Sequence, residues 1–224
     1  MNRSLWAPLI GALMFFWFPS NATAADVPAE TLAVCARCHG EAGVPTDRDV
    51  PIIWGQEFYY LYVQLKDFKA GRRVNDAMSD IIADLDKETM QALAQYFSEQ
   101  TWPRIGYTPP AGAEAKALAA LDAGECFACH LGGFEGNSRV PRLAGQQPAY
   151  LERTFREFKT RIRLNAPFMN SLLNTYSDED IVAVAQYLAG LQVPPKAARV
   201  FPSAARSRAV LPSASRREAS APAS

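Results

Sequence analysis

The stretch CARCH at residues 35–39 returns as CFACH at residues 126–130. These two pentapeptides contain all four cysteines and both histidines of the 224-residue chain. Any thiol or histidine chemistry of the chain is therefore confined to these two motifs. Any function assigned to the chain must explain this pair of motifs.

The two motifs belong to an internal repeat. Matching residues 90 or 91 positions apart include Cys35 and Cys126, Pro51 and Pro141, Gln56 and Gln146, Arg73 and Arg163, and Met78 and Met169. The one-residue shifts between these pairs are of the kind that loops between fixed elements tolerate. The repeat predicts two copies of one fold in tandem.

Each copy has the pattern of a helical domain. Apolar residues from Phe58 to Phe68 recur at helical spacing, and Gly71 follows as a stop signal. Asp86 and Ser177, at equivalent positions, are predicted N-caps of a later helix in each copy. No convincing alternating strand pattern is present. The predicted fold class is therefore all-α.

The two ends of the chain differ from the repeats between them. Residues 1–24 combine a positive start, a short apolar run and the small-x-small pattern ending at Ala24, which predicts a cleaved signal peptide and a periplasmic location. An uncleaved membrane anchor is the alternative. Residues 195–224 are rich in Ala, Ser, Pro and Arg, which predicts a disordered tail. The predicted domains are 25–105 and 106–194.

The charges are balanced overall, with 23 basic and 23 acidic residues. Six of the bases and one of the acids lie from Lys196 onward. This profile argues against a nucleic-acid-binding protein, and it leaves peripheral membrane association open. The basic residues from Arg153 to Arg163 form either a solvated helix face or a docking site for an acidic partner.

Several kinds of site use a Cys-x-x-Cys spacing. A disulfide gives no reason for the adjacent histidine, and a thioredoxin-like redox pair requires a βαβ surrounding that is not apparent. A zinc site built from both motifs requires the two repeats to share one metal, although each looks self-contained. The Cys-x-x-Cys-His spacing is that of c-type haem attachment. We therefore expect two covalently bound haem c groups, attached at Cys35, Cys38, Cys126 and Cys129.

The axial ligands of the two irons follow from a count of residues. With His39 and His130 as proximal ligands, no histidine remains, and methionine is the common axial ligand still available. Met78 and Met169 occupy the same repeat position, each 39 residues beyond its histidine. Met90 aligns with an isoleucine and is predicted to be core filler. Met78 and Met169 are the predicted distal ligands.

Residues near these ligands have two interpretations each. Pro51 and Pro141 either place a carbonyl against the imidazole N–H, which would raise ligand basicity, or are ordinary turn prolines. Asn75 and Asn165 either hydrogen-bond to haem or ligand or are plain turn residues. Trp54 either covers a haem edge or packs in the core.

A His/Met pair predicts a one-electron carrier. The thioether stabilises ferrous iron and raises the potential, which suits a carrier in a respiratory or photosynthetic chain. Six ligands on both irons leave no vacancy for a substrate, so we expect no catalytic activity. The expected partners are redox proteins that act as donor and acceptor.

The sequence resembles the di-haem cytochrome c4 family over residues 27–192. The resemblance rests on CARCHG and CFACH, on PIIWGQ and PRLAGQ, and on AMSDII and PFMNSLL. It implies two cytochrome c domains about a pseudo-twofold axis, with one covalently attached haem in each. It also implies periplasmic electron transfer from a quinol-oxidising complex to a terminal oxidase. The basic tail departs from the family pattern, as do Trp54 and Arg142.

Two other functions use a di-haem chain of this kind. One is the electron-accepting subunit of a dehydrogenase, such as a flavocytochrome c that oxidises sulfide, and co-purification of a flavoprotein would favour it. The other is a di-haem peroxidase, which requires one iron to lose its methionine. Rapid carbon monoxide binding to a ferrous haem would favour the peroxidase.

Overall fold

Nine α-helices form the regular structure of residues 27–192, the part of the chain that the computed structural model describes. They are α1 (Ala29–His39), α2 (Phe58–Lys69), α3 (Asp76–Ile82), α4 (Lys87–Glu99), α5 (Ala113–Ala123), α6 (Cys126–His130), α7 (Pro148–Lys159), α8 (Pro167–Leu173) and α9 (Asp178–Gly190). Within that range the only β pairing is an isolated bridge. The predicted all-α class is confirmed. The predicted signal peptide and tail lie outside the described residues.

The helices follow the repeat with one exception. The helices α2, α3 and α4 of the first half correspond to α7, α8 and α9 of the second. The first Cys-x-x-Cys-His motif completes the continuous helix α1, whereas the second forms the separate short helix α6. The break lies at Gly124 and Glu125, where Glu125 adopts left-handed backbone angles with φ 48°.

The predicted helix signals are present in both halves. Asp86 caps α4 by accepting a 2.7 Å hydrogen bond from the backbone N–H of Thr89. Ser177 caps α9 by accepting from the N–H of Asp180, and the Asp180 carboxylate accepts from the N–H of Ser177 in return. Such reciprocal caps satisfy backbone donors that the first helical turn leaves open. Gly71 follows α2 with φ +66°.

Each half has its own hydrophobic core. Helix α2 packs against α3 and α4 in the first half, and α7 packs against α8 and α9 in the second, where α5 also covers α9. The first core includes Leu61, Phe68, Ile82, Leu93 and Phe97. The second includes Leu151, Phe158, Leu173, Ile181 and Leu188. Two separate cores support the prediction of two domains, whose boundaries at 25–105 and 106–194 stay a prediction.

The connection between the halves is packed against both of them. Trp102 lies in this segment. A Cβ added to Gly55 would stand 2.9 Å from the backbone nitrogen of Trp102. A Cβ added to Gly145 would stand 3.1 Å from its indole Nε1. The guanidinium of Arg142 lies 4.5 Å from the centre of the Trp102 ring, within cation–π range. Among residues 27–192, no helix is long and apolar enough to span a membrane.

Two candidate cofactor sites

A largely apolar cavity in the first half brings together the predicted ligands of that half. Its wall includes Cys35, Cys38, His39 and Met78. Apolar side chains that complete the wall include Ile53, Leu61, Leu65, Phe68, Ile81 and Leu93. Two thiols, an imidazole and a thioether around an apolar space form the donor set that a covalently attached haem requires.

The imidazole of His39 is held by a backbone carbonyl. His39 is 7% exposed, and its Nδ1 lies 2.8 Å from the Pro51 carbonyl oxygen. Because a carbonyl can only accept, Nδ1 carries the proton, and Nε2 is left with its lone pair for a metal. Burial lowers the pKa of His39, and the Pro51 carbonyl opposes part of that shift. The ring is therefore neutral and oriented.

The second half repeats this arrangement. His130 is also 7% exposed, and its Nδ1 donates to the Pro141 carbonyl oxygen at 2.9 Å. Burial again lowers the pKa of the imidazole. The interpretation of Pro51 and Pro141 as carbonyl partners of the histidines is confirmed, and the alternative of ordinary turn prolines is wrong.

The four cysteines differ in their exposure. Cys35 and Cys126 are half-buried, Cys38 and Cys129 are exposed, and none forms a disulfide. Burial raises the pKa of both Cys35 and Cys126. Among residues 27–192, no three His, Cys, Asp or Glu side chains are grouped as a protein-only metal site would require.

The three methionines of the described chain have different surroundings. Met90 is 5% exposed inside the first core, as expected of core filler. Met78 is partly buried at the edge of that core and also lines the cavity beside His39. Met169 is partly buried against the second core. The assignment of Met78 and Met169 as iron ligands stays a prediction.

The two asparagines that precede these methionines act differently. The Asn75 side chain accepts a 3.1 Å hydrogen bond from the N–H of Met78 and so caps α3. The Asn165 side chain instead crosses to the first half, where it donates to Gln64 and Asp67 at 3.0 and 2.8 Å. Trp54 packs against the first core, where its ring lies over Gly43.

The basic residues from 153 to 163 are largely engaged with the protein itself. Arg156 and Lys159 form ion pairs with Asp178 at 2.6 and 2.7 Å. Arg153 pairs with Glu157 in the next turn. Arg163 is 5% exposed and lies in the contact between the halves. Arg153, Arg156 and Lys159 remain partly exposed beside these ion pairs, and both interpretations of the run stay predictions.

A buried polar layer between the halves was missed by sequence reasoning. Arg73 donates to Gln64 and to the Tyr150 hydroxyl, at 3.0 and 3.1 Å. Arg163 donates to the same Gln64 at 2.8 Å and to the Tyr60 hydroxyl at 3.4 Å. The repeated Arg and Tyr positions were visible in the sequence. Nothing in one copy, however, shows that its side chains meet those of the other.

Two repeated glutamines also join the halves. Gln56 and Gln146 are 3% and 2% exposed, and each hydrogen-bonds to the backbone of the opposite half. This reciprocal contact is what a pseudo-twofold relation between two copies produces. Their position after a glycine in both copies was the available sequence signal, although it did not specify the partner.

Similarity to known proteins covers most of the chain. A cytochrome c4 of Thiocapsa roseopersicina is 31% identical over 173 residues, covering 73% of this chain and 90% of the relative. A thiosulfate dehydrogenase electron acceptor of Thiomonas intermedia is 33% identical over 207 residues, covering 87% and 94%. The solved cytochrome c4 of Acidithiobacillus ferrooxidans superimposes with TM-score 0.66 at 29% identity, over 71% of this chain and 99% of that one. No protein-family model matches.

Proposed function

This chain belongs to the cytochrome c4 family of di-haem electron carriers, with two covalently bound haem c groups, and we propose which residues hold its two irons. Cys35 and Cys38 attach the first haem, and His39 and Met78 are its axial ligands. In the second half Cys126 and Cys129 attach the haem, and the ligands are His130 and Met169. The chain carries electrons and does not catalyse bond chemistry.

The observation that carries this assignment is the shared cavity of the first half. Both thiols, the imidazole and the thioether of Met78 line one space. When bound there, haem supplies one-electron exchange between ferrous and ferric iron. The protein holds the His39 ring through Pro51 and surrounds the site with apolar side chains that exclude water.

Polar side chains at the edge of the same cavity suit the carboxylates of a haem. Arg73, Tyr60 and Tyr150 line the cavity together with His39. Arg73 is half-buried and donates hydrogen bonds to Gln64 and Tyr150, so its guanidinium brings positive charge to the edge of this largely apolar cavity. A guanidinium can bind a carboxylate partner through two parallel hydrogen bonds. We assign this edge to the first haem's carboxylates.

The experiment that tests the assignment is a spectroelectrochemical titration of the mature, haem-loaded chain. We expect two haems per chain, two one-electron waves at positive potential and the far-red sulfur-to-ferric-iron band at full strength for both. We also expect neither ferrous haem to bind carbon monoxide readily at neutral pH. A band of half strength, together with carbon monoxide binding at one iron, would contradict one of the two methionine assignments.

The cellular setting is the periplasm, and the partners are other redox proteins. The apolar run and the Ala24 cleavage pattern of residues 1–24 support export across the inner membrane. The quinol-oxidising complex and the terminal oxidase suggested by the family resemblance are one candidate donor and acceptor. Export is tested by the mature N-terminus, which should begin after Ala24, whereas an intact Met1 start would support the membrane anchor.

A second donor is favoured by one comparison. The relative named as the electron acceptor of a thiosulfate dehydrogenase matches 87% of this chain at 33% identity. A thiosulfate-oxidising enzyme is therefore a candidate donor, and it replaces the flavocytochrome partner as the preferred dehydrogenase. Stopped-flow reduction by thiosulfate and a purified thiosulfate dehydrogenase should be faster than reduction by a purified quinol-oxidising complex. The reverse order would favour the respiratory shuttle.

A further inference from the structure

Two glutamines at the same repeat position each clamp one residue of the opposite half. The backbone N–H of Ile52 donates to Gln146 Oε1 at 2.8 Å, and Gln146 Nε2 donates back to the Ile52 carbonyl at 2.9 Å. Gln56 makes the same pair with Arg142, at 2.8 and 3.0 Å. Both glutamines are buried, so these bonds are not exchanged with water.

Each clamped residue shares a peptide group with the carbonyl that holds a histidine. The Ile52 N–H and the Pro51 carbonyl belong to one planar peptide, and that carbonyl accepts the Nδ1 proton of His39. Three groups are therefore connected in series: the Gln146 amide, the Pro51–Ile52 peptide and the His39 imidazole. The equivalent series in the second half consists of Gln56, the Pro141–Arg142 peptide and His130.

Hydrogen bonds in series polarise one another. A peptide whose N–H donates to a strong acceptor has a more negative carbonyl oxygen, with cooperative strengthening of about 10–30% per bond. A more negative Pro51 oxygen pulls harder on the Nδ1 proton and makes the other nitrogen of His39 a stronger donor to metal. A stronger donor favours ferric iron, which lowers the potential.

The position of each glutamine is set by its own half. Gly55 and Gly145, which precede them, have φ of +68° and +72°, in the left-handed region that favours glycine. The Gly55 N–H donates to the Phe97 carbonyl near the end of α4, and the Gly145 N–H donates to the Leu188 carbonyl near the end of α9, both at 2.8 Å. Through the glycine before it, each glutamine is therefore hydrogen-bonded to the last helix of its own half.

We propose that Gln146 and Gln56 are positioning residues that act across the molecule, each tuning the potential of the haem in the opposite half. Gln146 acts on the haem bound by His39, and Gln56 acts on the haem bound by His130. This inference rests on the proposed histidine ligands. It gives the two halves a direct mechanical and electrostatic connection through the proximal side of each site.

The test compares Gln146→Leu and Gln56→Leu in the haem-loaded full chain. We expect Gln146→Leu to shift the potential of the first haem upward and leave the second unmoved, and Gln56→Leu to do the opposite. The two waves are assigned with Met78→Ala and Met169→Ala, each of which displaces one wave. Solvent exchange of the histidine Nδ1–H, followed by NMR, should accelerate at His39 in Gln146→Leu and at His130 in Gln56→Leu.

A neighbouring residue provides a matched control. Gln147 is also a buried glutamine that reaches the other half, where it donates to the Pro45 carbonyl at 3.4 Å. Pro45 does not hold a histidine, so Gln147→Leu should leave both potentials and both exchange rates unchanged. An equal response to Gln147→Leu and Gln146→Leu would mean that general loosening of the contact explains the shift.

Two glutamate variants provide a second test in case a leucine variant does not fold. Gln146→Glu and Gln56→Glu retain an acceptor for the peptide N–H, and an ionised carboxylate should lower the potential of the opposite haem. A shift at the haem of the same half, or none at either, would overturn the inference. The proposed function is judged separately, because it fails if the unaltered chain lacks two His/Met haem waves.

Discussion

The first half ends its opening helix in the haem motif, whereas the second half interrupts that helix immediately before the motif. At the interruption, Gly124 and Tyr176 stand where the first half has Ala33 and Leu85. The Tyr176 hydroxyl donates to the Ala120 carbonyl at 2.6 Å and lies 3.8 Å from Cys126 Sγ. A Cβ on Gly124 would stand 2.0 Å from that hydroxyl, so the glycine makes room for the tyrosine.

The surroundings of the two proposed distal methionines differ as well. Helix α3 and the turn after it expose Asp76, Asp80 and Asp84 around Met78, whereas α8 around Met169 carries no charged residue. The repeat has therefore kept the donor groups and their carbonyl partners while their surroundings diverged. From this difference we expect two haems with the same ligands and separate potentials.

The largest effect is expected from removing one of the two proposed distal ligands. Met78→Ala and Met169→Ala should each abolish half of the far-red sulfur band and open one iron to carbon monoxide. The potential of that haem should fall, because the thioether that stabilises ferrous iron is lost. Optical spectra and redox titration of both variants measure these changes.

Met90→Leu is the matched control for the two ligand variants. Met90 is buried in the first core, and leucine conserves its volume, so the band and both potentials should be unchanged. If Met90→Leu rather than Met78→Ala removed half of the band, the first distal ligand would be Met90.

The next largest effect is expected at the helix interruption. Gly124→Ala places a methyl group against the Tyr176 hydroxyl and should destabilise the second half by about 1–3 kcal/mol, as overpacking does. The reciprocal Ala33→Gly should cost the first half only about 0.5–1 kcal/mol, as glycine does within a helix. Denaturant unfolding of the loaded chain compares the two. Equal losses would show that Tyr176 adjusts without strain.

A smaller effect is expected from the tyrosine hydroxyl itself. Tyr176→Phe removes one hydrogen bond and should cost about 1 kcal/mol. Because the hydroxyl donates to Ala120, its oxygen presents partial negative charge toward Cys126, a proposed attachment point of the second haem. Negative charge near that haem stabilises ferric iron relative to ferrous iron. The potential of the second haem should therefore rise, while that of the first stays fixed. Leu85→Met, at the equivalent position, should move neither, and a rise in both potentials would contradict a local role.

The smallest effect is expected from the Asn75 cap. Asn75→Ala should cost about 0.5 kcal/mol, at the low end for an N-cap because this one is exposed. Hydrogen exchange should rise at the start of α3 alone. Asn165→Ala, at the same repeat position, should instead loosen the contact with Gln64 and Asp67, and exchange should rise on both sides of that contact. The same pattern in both variants would contradict the different roles.

The residues predicted from sequence were those whose role is local or repeated. The caps at Asp86 and Ser177 follow from residue type and neighbouring sequence, so they were predictable. Pro51 and Pro141 follow their histidines by 12 and 11 residues, and this near-equal repeated position suggested the role of their carbonyls. Each of these signals appears twice in the chain, which separates it from chance.

The residues missed were those whose partners lie far along the chain. Gln146 meets Ile52 only because the two halves pack together, and no pattern within one copy specifies that contact. The break before α6 depends on Glu125 accepting left-handed angles, which a glutamate rarely adopts. Tyr176 gains its role from Gly124, which follows α5 and is distant from it along the chain. Tertiary packing, which is absent from local sequence, decides all three.

The sulfur coordination of iron in the haem-loaded chain most directly tests whether each half holds one His/Met site. X-ray absorption at the iron edge counts the sulfur atoms bound per iron, averaged over both haems. We predict one sulfur per iron, supplied by Met78 in one half and by Met169 in the other. A value of one half would leave one iron without its methionine, and a value of zero would contradict both sites.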